Sequence, residues 1–142
     1  MTSFETTAQI TADPAHVWAT LLLTEQWPSW DPALERVEGE LAEGGRVAFH
    51  VSSSSRTFTS KVATWEPGRR LVLRGGMPLG LFAGTRTYEL TPVGTATRFH
   101  MVERFSGPLA PLIVRSIPDL QPSFDAFADG LRRAAESTAV SA

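Results

Sequence analysis

The chain has 142 residues, 42% apolar and 20% charged, the balance of one globular domain large enough to bury a core without staples. It contains no cysteine, which excludes disulfides, thiolate metal sites and a thiol nucleophile. A formal charge of −2 and a pI near 5.9 lack the basic footprint of a general nucleic-acid binder.

Ser3 to Thr11 is rich in threonine, with Phe4 and Ile10 apolar, and reads as a strand. Met1 to Thr11 shows no basic-then-apolar leader, and no apolar run reaches membrane-spanning length. The expectation is a cytoplasmic protein without stable membrane insertion. Asp13-Pro14 reads as an N-cap followed by proline at the first helical position. Val17, Trp18, Leu21 and Leu22 give that helix one apolar face, with His16 on its exposed side. It should end near Thr24, because Trp27-Pro28 and Asp31-Pro32 both hold the residue before proline away from helix. One more helical turn fits after Pro28 or Pro32. Two tryptophans three residues apart, Trp27 and Trp30, are costly to leave in water and are expected to be packed.

The period then changes. Leu34–Leu41, Arg46–Ser53, Thr57–Trp65, Arg70–Gly75, Gly84–Leu90 and Thr97–Phe105 are short and partly alternating. Glu43-Gly44-Gly45, a run of serines from Ser52 to Ser55, Pro67-Gly68, the glycine-rich 75–80 stretch and Pro92 to Thr95 separate them. Short strands with regular turns predict an antiparallel meander.

From Leu109 onward, apolar residues recur at steps of three or four: Leu109, Leu112, Ile113, Ile117, Leu120, Phe124, Phe127, Ala128, Leu131 and Ala135. Pro118 and Pro122 cannot both sit inside one continuous helix, so the spacing predicts a short helix near 108–116 and a break at Ile117–Pro118. A long helix then runs from about 119 to 137, with Asp119 as its cap and Pro122 in its first turn. Phe124 and Phe127 are its expected core anchors. The whole is one α+β domain over residues 1–142, a curved sheet wrapped around a terminal helix.

The segments ITADPAHVW (10–18), WPSWDP (27–32), Glu43 to Val47, WEPGRRLVLRG (65–75), YELTPVGTATRF (88–99) and ERFSGPLAPLI (103–113) occur in that order. Together they resemble the START-like, or helix-grip (SRPBCC), superfamily, in its polyketide cyclase/dehydrase and lipid-transport-like branch. The resemblance covers essentially the whole chain. It implies a seven-stranded antiparallel sheet gripping a long C-terminal helix, with two small helices between the first two strands. It also implies a cavity between sheet and helix for an apolar or aromatic small molecule, with no cofactor.

Strand parity selects the inward side chains. On the last strand Phe99, Met101 and Phe105 point inward and carry Glu103 with them. On the strand before it Tyr88 and Leu90 share their face with Arg86. Val47, Phe49 and Val51 point inward, as do Leu71 and Leu73. The polar candidates are therefore Arg86, Glu103 and Tyr88, joined by Ser60 and Thr64 if Phe58 and Val62 mark the inner face. If Gly94-Thr95 is a two-residue loop, opposite residues sum to 189 and Arg86 faces Glu103; a loop shifted by one places Arg86 opposite Met101. A structural ion pair is the alternative role for Arg86 and Glu103, and core packing that for Tyr88. His50 and His100 fall on outward parities, and three scattered histidines make no metal motif. The segment 75–84, with Met77, Leu79, Leu81 and Phe82 among glycines, suits either a lid over an apolar pocket or a loop packed on the core helix.

The implied cavity is thus expected to be lined by Trp27, Trp30, Phe49, Met77, Leu79, Phe82, Arg86, Tyr88, Met101, Glu103 and Phe124. Three functions stay open at this point. The chain binds a hydrophobic, lipid- or polyketide-like ligand; or it is a cyclase/aromatase in which Arg86 holds an enolate or carboxylate oxygen and Glu103 or Tyr88 moves a proton; or it is an interaction module like the chaperone-ATPase activators of the same fold. Oligomeric state is not readable from the sequence.

Overall fold

The computed structural model describes residues 3–51, 57–115 and 119–140. The serine run and the helix break at Ile117–Pro118 lie outside these residues. The elements are β1 (Ser3–Ile10), α1 (Pro14–Leu22), α2 (Trp27–Trp30), β2 (Leu34–Gly39), β3 (Arg46–Val51), β4 (Thr57–Glu66), β5 (Arg70–Gly76), β6 (Ala83–Val93), β7 (Ala96–Ser106), α3 (Ala110–Val114) and α4 (Gln121–Val140). All seven strands form one sheet in the order β1-β7-β6-β5-β4-β3-β2, every neighbouring pair antiparallel. β2 to β7 follow one another as the meander predicted. β1 closes the far edge beside β7. This is the helix-grip architecture.

Local chemistry sets the ends of the elements. Asp13 Oδ1 accepts the His16 backbone N–H at 2.8 Å, and Pro14 occupies the first turn of α1. Gly94, at φ +62°, lets Val93 pair with Ala96 across a two-residue loop. The register is therefore the one summing to 189: Leu90 opposite Phe99, Tyr88 opposite Met101, Arg86 opposite Glu103. The long helix begins two residues later than expected. Asp119 Oδ1 accepts the Gln121 N–H at 3.0 Å, while the Leu120 carbonyl takes the Phe124 N–H, so Pro122 falls in the first turn. At its other end α4 continues to Val140, 20 residues and about 30 Å in all.

α4 lies across the concave face with Phe124, Phe127, Ala128, Leu131 and Ala135 buried against the sheet. Phe127 meets Trp27, Trp30, Tyr88 and Phe99 with ring centroids 5.0–6.2 Å apart, a connected aromatic cluster. α2 reaches α4 at Gly130, where any Cβ would collide with the Trp30 backbone carbonyl. That contact explains a glycine inside a helix, which costs about 1 kcal/mol relative to alanine. α1 is tied down by His16, whose Nε2 donates to the Ala135 carbonyl at 3.0 Å and lies 2.7 Å from Thr138 Oγ1. His16 is thus half-buried against α4 and not on an exposed face. His50 and His100 do point outward, onto Glu38 and Glu5 respectively.

One parity expectation fails. A bulge between Val62 and Thr64 shifts the register of β4, setting Thr64 opposite Val72 on the outer face and Trp65 opposite Leu71 on the inner one. Trp65 there packs edge-on against Trp18 at 5.3 Å. Ser60 precedes the bulge and remains inward, opposite Val47.

Candidate functional site

Burial along the inner face changes in the same direction on every central strand. Val47, Val62, Leu71, Tyr88, Leu90, Phe99 and Met101 are buried. Two to four residues nearer the other end, Phe49, Ser60, Arg86 and Glu103 are only partly covered, and Phe58 is 49% exposed. The grip has a filled end and an open end. The open end lies where β3 and β4, β5 and β6, and β7 and α3 are joined, beside the N-terminus of α4.

The filled end corrects the expectation that the interior between sheet and helix is hollow. Trp27, Trp30, Tyr88 and Met101 are packed there among aromatic rings. Two hollows of about 330 and 790 Å³ lie on the outer face of the sheet, lined by no residue of α4.

At the open end, the inner row runs Leu73, Arg86, Glu103, Phe4 across β5, β6, β7 and β1. Arg86 Nε donates to Glu103 Oε1 at 2.8 Å, with 28% of the arginine side chain and 14% of the glutamate exposed. The guanidinium carbon sits 4.8 Å above the centre of the Phe124 ring. The next inner row is Gly75, Gly84, Phe105. Two neighbouring strands thus present no side chain, and their backbones are covered instead by neighbours: a Cβ on Gly75 would collide with the Thr59 carbonyl, and one on Gly84 would touch the Phe105 ring. Phe105 is stacked by Phe82 at 5.8 Å and edged by Phe4 at 6.3 Å.

Charge in this region is held unusually. Burial opposes the Arg86 charge, but Glu103 and the Tyr88 hydroxyl more than compensate, and the guanidinium titrates above its ordinary value. Burial pushes the Tyr88 phenol up, with Arg86 pulling partly against it. The Tyr88 hydroxyl feels Arg86 but makes no well-aligned hydrogen bond. It and Trp30 Nε1 are buried polar atoms without a partner. Asp31, which the sequence reading left out of the site, is also buried. Its pKa is raised by burial, against the Ala33 N–H it accepts at 3.1 Å and the field of Arg86. The available signal was a carboxylate directly after Trp30 in a segment judged too apolar to be exposed.

The remaining candidates separate. Phe49 lies between the two ends, stacked on Trp27 at 5.9 Å. Phe82 packs against Phe105, whereas Met77 and Leu79 are exposed. The structure therefore brings together Arg86, Glu103, Tyr88 and Phe124, and does not gather Met77 and Leu79 with them. Among the described residues no three histidines or carboxylates converge as metal ligands, and no helix is long and apolar enough to cross a membrane.

A curved seven-stranded sheet gripping a C-terminal helix, with an ion pair at its open end, defines a helix-grip protein. The chain belongs to the polyketide cyclase/dehydrase and lipid transport family, whose model matches residues 1–136. No curated protein sequence matches it. Among solved structures it is similar to the Zhui aromatase/cyclase from Streptomyces sp. R1128, with TM-score 0.74 and 18% identity, covering 95% of this chain and 93% of that one. The hypothetical protein jhp0584 from Helicobacter pylori gives TM-score 0.77 at 17% identity, with coverage of 94% and 88%. The di-domain aromatase/cyclase BexL of the BE-7585A biosynthetic pathway gives 0.70 at 14%, with 96% of this chain on 47% of that one. At such identities the likeness establishes the shared fold.

Proposed function

We propose that the chain binds a largely apolar, aromatic small molecule at the open end of the grip, with an oxygen of that molecule held by Arg86. The observation that carries this reading is the mostly covered but solvent-reachable Arg86–Glu103 pair over Phe124, bordered by Gly75 and Gly84 and by the unpartnered Tyr88 hydroxyl. An aromatic ligand would approach the pair from the open end, and its phenol or carbonyl oxygen would complete the hydrogen bonding of Arg86 and Tyr88. Native mass spectrometry of the purified protein tests for a retained ligand. Tryptophan fluorescence titration then compares a hydroxylated anthraquinone with anthracene. Tyr88→Phe should weaken the former by about tenfold and leave the latter unchanged. Equal affinity for the two compounds in the wild-type protein refutes the assignment of Arg86.

The second reading, a cyclase/aromatase, is favoured by Asp31 and Tyr88, both biased toward their protonated forms within the field of Arg86. In such a reaction a proton leaves a carbon between two carbonyls, the enolate carbon attacks a third carbonyl carbon, and the new alkoxide collects a proton. Arg86 would stabilise the enolate oxygen, the Glu103 carboxylate would take the proton from carbon, and protonated Tyr88 or Asp31 would give one to the alkoxide. The third reading, an interaction module, has no comparable support inside the grip.

A further inference from the structure

The outer face of the sheet carries a row of cations to which the other described residues supply no ion pair. Arg46 lies opposite Lys61, Lys61 opposite Arg74, Arg74 opposite Thr85, and Thr85 opposite Arg104. At about 4.8 Å per strand the row is roughly 19 Å long. Among the described residues none of the four has an ion pair. The neighbouring outer row, Val72, Thr87, Val102 and Glu5, carries no cation, and in the row beyond it Arg70 faces Glu89 while His100 pairs with Glu5. Like charges directly opposite one another destabilise a sheet, and a chain of net charge −2 does not acquire such a row from its composition.

Beside this row is an apolar projection. The turn from Met77 to Phe82 is closed by the Met77 N–H donating to the Phe82 carbonyl at 2.8 Å, and α3 is tied to it by Leu109 N–H on the Leu81 carbonyl at 2.9 Å. Only Phe82 turns inward. Met77 is 44% exposed, Leu79 95%, Leu81 37% and, on α3, Leu112 67%. Leu79 has φ +62°, a left-handed conformation costly for a branched side chain, and it holds the leucine out into water. The 790 Å³ hollow is walled by Arg46, Lys61 and Arg74 on one side and by Met77 and Phe82 on the other, so cations and projection form one continuous surface.

We propose that this surface docks reversibly on an anionic lipid bilayer, with the 77–81 turn and Leu112 entering the headgroup region and the four cations facing lipid phosphates. An acidic protein would satisfy the cations but gives no use for a leucine presented almost whole to solvent. A bilayer interface uses both: shallow apolar insertion and basic residues at headgroup level. Docking in this orientation turns the open end of the grip toward the membrane, so that an apolar ligand passes between them without crossing water. That last step rests on the proposed ligand-binding function; the docking does not.

Vesicle co-sedimentation of the full chain decides the matter, using phosphatidylglycerol, phosphatidylcholine and an equal mixture. Binding should follow phosphatidylglycerol content and fall as salt is raised. Leu79→Asp and the double variant Lys61→Glu/Arg74→Glu should each weaken it by at least about tenfold, with circular dichroism showing the fold retained, since all three residues are exposed. Equal binding to phosphatidylcholine and phosphatidylglycerol, or unchanged binding by Leu79→Asp, overturns the proposal. So does retention on immobilised polyglutamate with no vesicle binding, which would assign the row to an acidic protein. Anthraquinone titration without vesicles reports separately on the ligand reading.

Discussion

Replacing Arg86 by Met separates the structural role of the ion pair from its role toward a ligand. The pair is short, at 2.8 Å, and mostly covered, so removing the cation leaves the Glu103 carboxylate facing Phe4, Phe105 and Phe124 without a partner. Breaking a fully buried pair costs about 3–5 kcal/mol. Solvent reaches part of both side chains here, which lowers that to about 2 kcal/mol. Loss of the cation over the Phe124 ring adds about 1 kcal/mol. For a domain of this size each kcal/mol corresponds to roughly 3 °C, so Arg86→Met should melt about 9 °C lower than wild type. Adding Glu103→Leu removes the stranded charge but not the lost ring contact, and should recover about two-thirds of the difference. Differential scanning calorimetry and urea unfolding followed by tryptophan fluorescence measure both variants. Anthraquinone binding should stay lost in the double variant. A single variant that melts like wild type, or a double variant no more stable than the single, refutes the reasoning.

Phe127→Ala should cost about 3–5 kcal/mol in urea unfolding, because Phe127 sits amid Trp27, Trp30, Tyr88 and Phe99. Phe124→Ala, at the open end, should cost visibly less; equal losses would refute the division into filled and open ends. Gly130→Ala should destabilise despite the better helix propensity of alanine, because its methyl group meets the Trp30 carbonyl; a rise in melting temperature would contradict the close approach of α2. Asp31 titrates above the ordinary 3.8 of a free aspartate, so the folded state holds its proton more tightly than the unfolded one. Its contribution is therefore present at low pH and lost as pH rises from about 3.8 through the raised value. Asp31→Asn should flatten the stability profile across that window, and an unchanged slope in pH-dependent urea unfolding would count against burial of the carboxyl.

The features legible in the sequence are those fixed by period and by local backbone chemistry. Alternation placed Arg86, Tyr88, Met101 and Glu103 on one face, and Gly94-Thr95 supplied a loop whose length fixed their pairing. The Asp13-Pro14 cap and the position of Pro122 in the first turn of α4 follow from the same short-range rules. The failures are non-local. Thr64 was misplaced because a bulge adds one residue to β4 without a glycine or proline to announce it. His16 looked exposed because α1 was considered alone, whereas the C-terminal turns of α4 bring the Ala135 carbonyl to its ring. Asp31 was invisible as a site residue because its burial depends on α2 being pressed between the sheet and Gly130.

The same packing explains why the polar site falls at one end. Trp27 and Trp30 of α2 converge with Tyr88 and Phe99 of β6 and β7 on Phe127, near the middle of α4, and that cluster leaves no space for an unpaired charge. Arg86 lies one inner position beyond Tyr88, where the next residues across β5 and β6 are Gly75 and Gly84. A guanidinium is tolerated there because Glu103 is directly opposite and Phe124 supplies a ring above it. The Trp27–Phe127 cluster thus keeps the sheet and helix together at one end, while the Arg86–Glu103 pair adds a smaller share of stability at the other. If the open end binds a ligand as proposed, a substitution near Arg86 would alter what it accepts with the cluster intact. That separation gives a physical route by which one fold serves different ligands and chemistries.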